Sequence, residues 1–157
     1  VFLVENNQYG MGTEVGKASA VSEIYTKGCA YDIAHRQLNG QDIFETHQVI
    51  GEALDLAREE GPVLLEAMTY RYVGHSMGDP ERYRSKAEIE EWRTRDPILR
   101  LADKMTEQGM FTEEDAKAIA ESVEEELVEI VKFAEESPEP DDAALCEHVF
   151  VNPMGHQ

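Results

Sequence analysis

Apolar positions along the chain form two short runs, residues 1–4 and 62–68, and several stripes with helical spacing. A short run of mostly apolar residues is typical of a strand that is buried on both faces of a parallel sheet. Residues 36–38 predict a third strand, which ends at the turn pair Asn39-Gly40. Residues 6–16 read as a glycine-containing loop, and residues 19–27 as a short helix.

A longer helix is predicted from Asp42 to Gly61-Pro62. Asp42 suits an N-cap, with Glu45 placed three residues later as in a capping box, and the Gly-Pro pair ends the helix. The helical spacing predicts these buried positions: Ile43, Val49, Ile50, Ala53, Leu54 and Ala57.

The order strand, helix, strand predicts an α/β fold with a parallel sheet. In such sheets the loops at the carboxyl ends of the strands lie on one rim, where ligands bind. The loops after residues 4 and 69 are therefore expected on the same rim. This topology would bring Asn7 and His75 together, although they are far apart in sequence.

The second half of the chain predicts helices. Ser85 with Glu88 and Thr112 with Asp115 suit capping boxes, and Asp96 precedes a proline at a first helical position. The longest helix, to about residue 136, carries an apolar stripe that suits either packing within its own domain or a subunit contact. We therefore divide the chain into the carboxyl-terminal part of an α/β domain, residues 1–84 with a long loop at 70–84, and a helical region, residues 85–157.

Charge and composition exclude some functions. The formal net charge of −19 argues against binding of nucleic acid, which needs a basic surface. Between residues 107 and 147 there are 15 acidic residues against Lys117 and Lys132, which suits a solvated helix face or a docking surface for a basic partner. No apolar run approaches the roughly 20 residues of a membrane helix. Two cysteines without a CxxC spacing are typical of a reducing cytoplasm.

Two polar segments carry the candidate chemistry. In residues 5–13, the Asn7 side-chain oxygen and the Tyr9 main-chain carbonyl are ligands of the kind that magnesium prefers, although Asn-Asn near glycine also suits an ordinary turn. In residues 71–84, His75 could transfer protons near neutral pH, and arginines could bind an anion or pair with Asp79 and Glu81. A lone histidine in a loop is, however, more often without a function.

Several motifs in order resemble the alpha subunits of thiamine-diphosphate-dependent 2-oxo-acid dehydrogenases, of the type that decarboxylates pyruvate. Residues 5–13 resemble the end of that family's thiamine-diphosphate motif, and residues 69–80 resemble its active-site loop. The segments 38–42, 61–66, 96–98 and 138–140 continue the resemblance. It covers nearly the whole chain.

The resemblance implies roles for the matched positions. Asn7 and the Tyr9 carbonyl would bind Mg²⁺ and thiamine diphosphate, and His75 would both bind the cofactor and be catalytic. The residues that would order the loop are Arg71, Ser76, Asp79, Tyr83 and Arg84. Ser76 also matches the serine that kinases phosphorylate in eukaryotic relatives. The implied partners are a beta subunit and a lipoyl-bearing acyltransferase, in an oligomer without nucleic acid or membrane.

The chain departs from the family pattern at several positions, and these departures restrict which kind of family member the sequence predicts. The Gly-Asp-Gly half of the motif, with its metal-binding aspartate, is not in the sequence, so we expect a carboxyl-terminal piece that is inactive and binds no cofactor alone. Gly78 in place of serine, and a compact stretch at 80–83, favour a bacterial, cytoplasmic type. The alternatives are an acetoin or branched-chain dehydrogenase alpha subunit, or a non-catalytic domain that self-associates. We expect residues 73–83 to be disordered without cofactor.

Overall fold

A computed structural model describes residues 1–147 and residue 149. The chain divides into two compact units, Val1–Phe111 and Thr112–Gln157. In the first unit, three strands form a parallel sheet among the described residues, in the order β1 (Phe2–Asn6), β5 (Val63–Met68), β4 (Ala34–Asn39). Asn6 and Asn39 are both in register with Met68, so the three strands end at one rim. The predicted α/β fold with a parallel sheet is confirmed.

The core lies between this sheet and helix α2 (Ile43–Glu59). Its buried apolar residues are Leu38, Val49, Ala53, Val63, Leu65 and Ala67. The predicted burial on α2 is right for Val49 and Ala53, and Ile50 and Ala57 pack at the edge of the core. It is wrong for Ile43 and Leu54, which are exposed because they lie beside the face that meets the sheet.

Strand β1 was predicted as buried on both faces, and that part of the prediction is wrong. Phe2 is 62% exposed and Leu3 is 45% exposed. The strand pairs with β5 only, because it occupies an edge of the described sheet, and β5 takes the central, buried position.

The segment between β1 and β4 also differs from the prediction. Two short strands, β2 (Tyr9–Gly10) and β3 (Thr13–Glu14), form a hairpin that is followed by helix α1 (Val15–Ala18). In place of a helix at 19–27, a 3-10 helix spans Ile24–Tyr31. Gly28 lets this helix lie close to β4, because a Cβ at that position would lie 2.7 Å from the Cβ of His35.

Helices α3 (Lys86–Arg93) and α4 (Pro97–Glu107) follow the long loop, with Ser85 and Asp96 as the predicted N-caps. In the second unit, α5 (Glu113–Glu136) begins with the predicted capping box of Thr112 and Asp115, and none of its residues is buried. A short 3-10 helix spans Asp142–Cys146. No helix among the described residues is long and apolar enough to cross a membrane.

Candidate functional site

The segment after β1 is held as two consecutive asparagine turns. The Asn6 side-chain oxygen accepts a hydrogen bond from the Gln8 amide at 3.1 Å, and the Asn7 side-chain oxygen accepts one from the Tyr9 amide at 3.1 Å. Gln8 has a φ of 75°, in the left-handed region that few residues other than glycine adopt. This geometry turns the chain sharply at the rim of the sheet and orients the Asn7 amide oxygen.

The loop after β5 begins beside this turn. The Thr69 amide donates to the Asn6 carbonyl at 3.0 Å, and the Arg71 guanidinium donates to the Met11 carbonyl at 2.7 Å. The two segments are 60 residues apart in sequence at this second contact. The prediction that both loops lie on one rim of the sheet is confirmed.

His75 lines a cavity of about 580 Å³ between the two loops. Its Nδ1 lies 3.4 Å from Nη1 of Arg71. Because a guanidinium has only donors, this contact favours the neutral tautomer of His75 that carries its proton on Nε2. The remaining residues of the cavity wall are Met11, Gly12, Ser76, Asp79, Pro80, Arg82 and Tyr83.

Asp79 organises the loop around His75. Its carboxylate accepts hydrogen bonds from the Tyr83 hydroxyl at 2.6 Å, the His75 amide at 2.8 Å and the Glu81 amide at 2.9 Å. The Tyr83 hydroxyl bond, followed by the two amide bonds, lowers the pKa of Asp79 from 3.8 to about 2. Asp79 therefore stays ionised well into the acid range. Ser76 joins this group through its main chain, since its carbonyl accepts from the Asp79 amide at 3.0 Å while its side chain is exposed.

Arg84 is buried beneath the loop, and its side chain has no exposed surface. It pairs with Glu81 at 2.6 Å and donates to the Arg71 carbonyl. Its guanidinium carbon lies 5.4 to 5.9 Å from the ring centres of Tyr9, Tyr70 and Tyr83. This cation joins the amino-terminal turn, the end of β5 and the loop into one packed group.

Glu88 on α3 links the same elements from the other side. Its carboxylate accepts hydrogen bonds from the hydroxyls of Tyr9 and Tyr70, each at 2.8 Å. Burial and the hydrogen bond to Glu88 raise the pKa of both tyrosines above their usual value. Glu88 was predicted to complete a capping box with Ser85, but its carboxylate is engaged with these hydroxyls instead.

The roles of two residues in this region were not predicted from the sequence. Glu88 was assigned to helix capping alone, and Glu66 was read as part of a buried strand without comment. The signal for Glu66 was available, because a charged residue inside an apolar run must have polar partners. Those partners come from distant segments and could not be named from the sequence.

The donor set for a metal is incomplete within the described residues. No group of three or more His, Cys, Asp or Glu side chains there is arranged to hold a metal ion. The oxygens that the turn offers are those of an asparagine amide and of main-chain carbonyls.

The fold and this cleft define an α/β protein in which polar loops gather at the carboxyl ends of parallel strands, the position where proteins of this class bind ligands. Residues 1–143 match the model of the family described as "Dehydrogenase E1 component", and the chain belongs to that family.

Curated relatives resemble the chain over almost all of its length. It is 41% identical over 151 residues to the "Pyruvate dehydrogenase E1 component subunit alpha" of Rickettsia conorii. This match covers 96% of this chain and 46% of the relative. The protein with the same name from Rhizobium meliloti is 39% identical, over 96% of this chain and 44% of the relative. The "subunit alpha-3, chloroplastic" of Oryza sativa is 38% identical, over 99% of this chain and 37% of the relative. The chain thus spans less than half the length of these relatives.

Proposed function

We propose that this chain is the carboxyl-terminal part of the alpha subunit of a 2-oxo-acid dehydrogenase's decarboxylating component, with pyruvate as the substrate. The relatives named above as pyruvate dehydrogenase subunits support this choice over acetoin or branched-chain acids. The observation that carries the proposal is that the segment after β1, through Met11 and Gly12, meets the His75 loop around one cavity.

Thiamine diphosphate and Mg²⁺ are the proposed cofactors, and the turn fits them. Magnesium prefers hard oxygen ligands and shares them with phosphates. The Asn7 amide oxygen accepts one hydrogen bond, from the Tyr9 amide, and an amide oxygen has a second lone pair. Asn7 and the Tyr9 carbonyl would therefore supply part of the metal shell, and the remaining ligands would come from the diphosphate and from groups outside the described residues. When bound, thiamine diphosphate supplies the carbanion chemistry of decarboxylation.

His75 is the proposed catalytic residue. Arg71 occupies Nδ1 of the imidazole, which leaves Nε2 to hold and release a proton at the cavity. Arg71, Asp79, Tyr83 and Arg84 would keep the loop in this arrangement through the hydrogen bonds described above. Ser76 would contribute its main-chain carbonyl, and a phosphate on its side chain would add about −1.5 to −2 charge beside Asp79.

The proposed partners are the beta subunit of the same component and the lipoyl-bearing acyltransferase that receives the acyl group. The names of the relatives, which denote one subunit of a multi-subunit component, support an assembly. The exposed free cysteines Cys29 and Cys146 support a reducing compartment, which we take to be the bacterial cytoplasm.

A second candidate is a non-catalytic domain that self-associates. It is favoured by Phe2 and Leu3, which expose apolar surface on an edge strand beside an apolar cavity of about 580 Å³. Sedimentation of the chain at high concentration distinguishes the two: a strict monomer contradicts self-association.

The proposed function is tested with His75→Asn in the enzyme assembled with its beta subunit. We expect reductive acylation of a lipoyl domain to fall about 100-fold, the usual loss for a positioned proton-transfer group. Binding of thiamine diphosphate, followed by calorimetry, should persist. His47→Asn, an exposed histidine on α2, is the matched control and should leave both quantities unchanged. Full lipoyl acylation by His75→Asn would contradict the proposed role.

A further inference from the structure

Glu66 is a fully buried carboxylate in the middle of β5, with none of its surface exposed. It accepts three hydrogen bonds, from Asn6 Nδ2 at 2.6 Å, the Tyr25 amide at 3.0 Å and Gln37 Nε2 at 3.3 Å. All three donors are neutral groups. Burial of a carboxylate without a paired cation is costly, and an apolar side chain would serve the core better. Packing alone therefore does not account for an acid at this position.

The contact with Asn6 determines which way that amide faces. The Glu66 side-chain oxygen accepts from Asn6 Nδ2, so it binds the amino side of the Asn6 amide. The oxygen side is then directed away, and it accepts from the Gln8 amide at 3.1 Å and from Gln8 Nε2 at 3.3 Å. These bonds stabilise the left-handed Gln8 backbone, whose φ is 75°. The carboxylate in β5 thus holds the turn at the rim of the sheet.

We propose that Glu66 is a positioning residue that, through Asn6, holds the turn presenting the Asn7 amide oxygen and the Tyr9 carbonyl to a magnesium ion. This inference rests on the proposed function. Glu66 contacts neither of those oxygens in the structure, and it acts by fixing the orientation of one amide. It resembles the outer-shell partners of other metal sites, whose loss weakens metal binding without removing a ligand.

Exchanging the carboxylate at position 66 with the amide at position 6 tests this orientation. Glu66→Gln supplies one oxygen and one amino group where two acceptors are required. Whichever way the new amide faces, its amino group meets a donor, either Asn6 Nδ2 or the Tyr25 amide. In the double variant Asn6→Asp with Glu66→Gln, the carboxylate at position 6 accepts from the new amide and from the Gln8 amide. Every donor then has an acceptor again.

The measurement is the affinity for Mn²⁺, a paramagnetic substitute for Mg²⁺. It is read from the free-ion electron paramagnetic resonance signal of the enzyme assembled with its beta subunit at fixed thiamine diphosphate. We expect Glu66→Gln to weaken Mn²⁺ binding about 10- to 100-fold, as for other outer-shell residues. Asn6→Asp alone should also weaken it, because two carboxylates then face each other. The double variant should return to within about threefold of the original enzyme, because it restores the donor and acceptor pairs.

Val49→Ala controls for loss of stability, since Val49 lies in the core and away from the turn. It should lower the melting temperature and leave Mn²⁺ affinity unchanged. Unchanged Mn²⁺ affinity in Glu66→Gln, or a double variant that stays weak, overturns the inference. If Glu66→Gln does not fold, the double variant decides alone: tight binding supports the inference and weak binding overturns it. An original enzyme that binds no Mn²⁺ with thiamine diphosphate overturns the proposed function as well, which separates the two failures.

Discussion

The Tyr9 hydroxyl donates a 2.8 Å hydrogen bond to Glu88, and this contact joins the amino-terminal turn to helix α3 across 79 residues of sequence. The same carboxylate holds Tyr70 at the end of β5. The position of the turn therefore depends on a helix that follows the loop at residues 70–84 in sequence. The loop between them is held at both of its ends.

Tyr9→Phe removes one of the two donors to Glu88 and keeps the ring. We expect the free energy of unfolding at pH 7 to fall by about 1 kcal/mol, the usual contribution of one hydrogen bond. The tyrosine hydroxyls also make stability depend on pH. The fold raises the pKa of Tyr9 and Tyr70 above 10.0. The part of the free energy of unfolding that comes from these protonated hydroxyls is therefore complete below pH 10, and it is lost as the pH rises toward the pKa values of the folded chain.

Urea unfolding at pH 7 to 11 measures both effects. The original chain should lose stability above pH 10, and Tyr9→Phe should lose less over the same interval. Tyr31→Phe is the matched control, because Tyr31 is 75% exposed. Parallel curves for the original chain and Tyr9→Phe above pH 10 would contradict the raised pKa of Tyr9.

A second prediction concerns Asp79 in acid. The pKa of its carboxyl is lowered from 3.8 to about 2, chiefly by the Tyr83 hydroxyl and then by the His75 and Glu81 amides. The stability that the ionised Asp79 carboxylate gives the fold is therefore present above pH 3.8 and is lost as the pH falls through about 2. The amide proton of His75 reports this titration directly, since it donates to the carboxylate.

We expect the His75 amide resonance in a nitrogen–proton correlation spectrum to shift with a midpoint near pH 2. The Glu81 amide should shift together with it. In Asp79→Asn both resonances should stay constant through this range. A midpoint close to 3.8 would show that the loop leaves the pKa of Asp79 unchanged.

Features that depend only on neighbouring residues could be predicted from the sequence. The caps at Asp42, Ser85, Asp96 and Thr112 were predicted correctly, because an N-cap depends on residues within one turn of a helix. The hydrogen-bond partners of Glu45 and Glu88 were not predicted correctly, since each carboxylate binds groups outside its own helix. Glu45 accepts from the Asn39 amide rather than from Asp42.

The candidate site shows the same division. Parallel pairing of β1 with β5 was enough to predict that the Asn7 and His75 segments share a rim. The exposure of β1 was not predictable from its own apolar residues, because burial depends on what covers a strand. The role of Glu66 depends on Asn6, Tyr25 and Gln37, which lie 60, 41 and 29 residues away. Side-chain networks of this range are formed by the fold and leave no periodic pattern in the sequence.

A third prediction is that the hydrogen-bonded arrangement of residues 73–83 opens readily without cofactor and is stabilised when cofactor binds. Val73 and Met77 are exposed, so the apolar side chains at the start of this segment bury little surface to offset the entropy of ordering. Hydrogen exchange of the chain assembled with the proposed beta subunit should be fast at these amides without cofactor. It should slow after addition of thiamine diphosphate and Mg²⁺. The amides of β5 serve as the internal control, and slow exchange of residues 73–83 without cofactor would contradict the prediction.

The last prediction concerns Arg84, whose side chain is fully buried while that of its partner Glu81 is 31% exposed. Arg84→Met should lower the free energy of unfolding by about 3 kcal/mol, the low end for breaking a buried ion pair, because Glu81 keeps some contact with water. Arg84→Lys should recover only part of this loss, since a lysine reproduces neither the two bonds to Glu81 nor the contact of the guanidinium with the tyrosine rings. Arg82→Met is the matched control, because the neighbouring Arg82 is exposed. Urea unfolding measures all three variants. Equal losses in Arg84→Met and Arg82→Met would mean that the buried cation does not hold the loop against the turn.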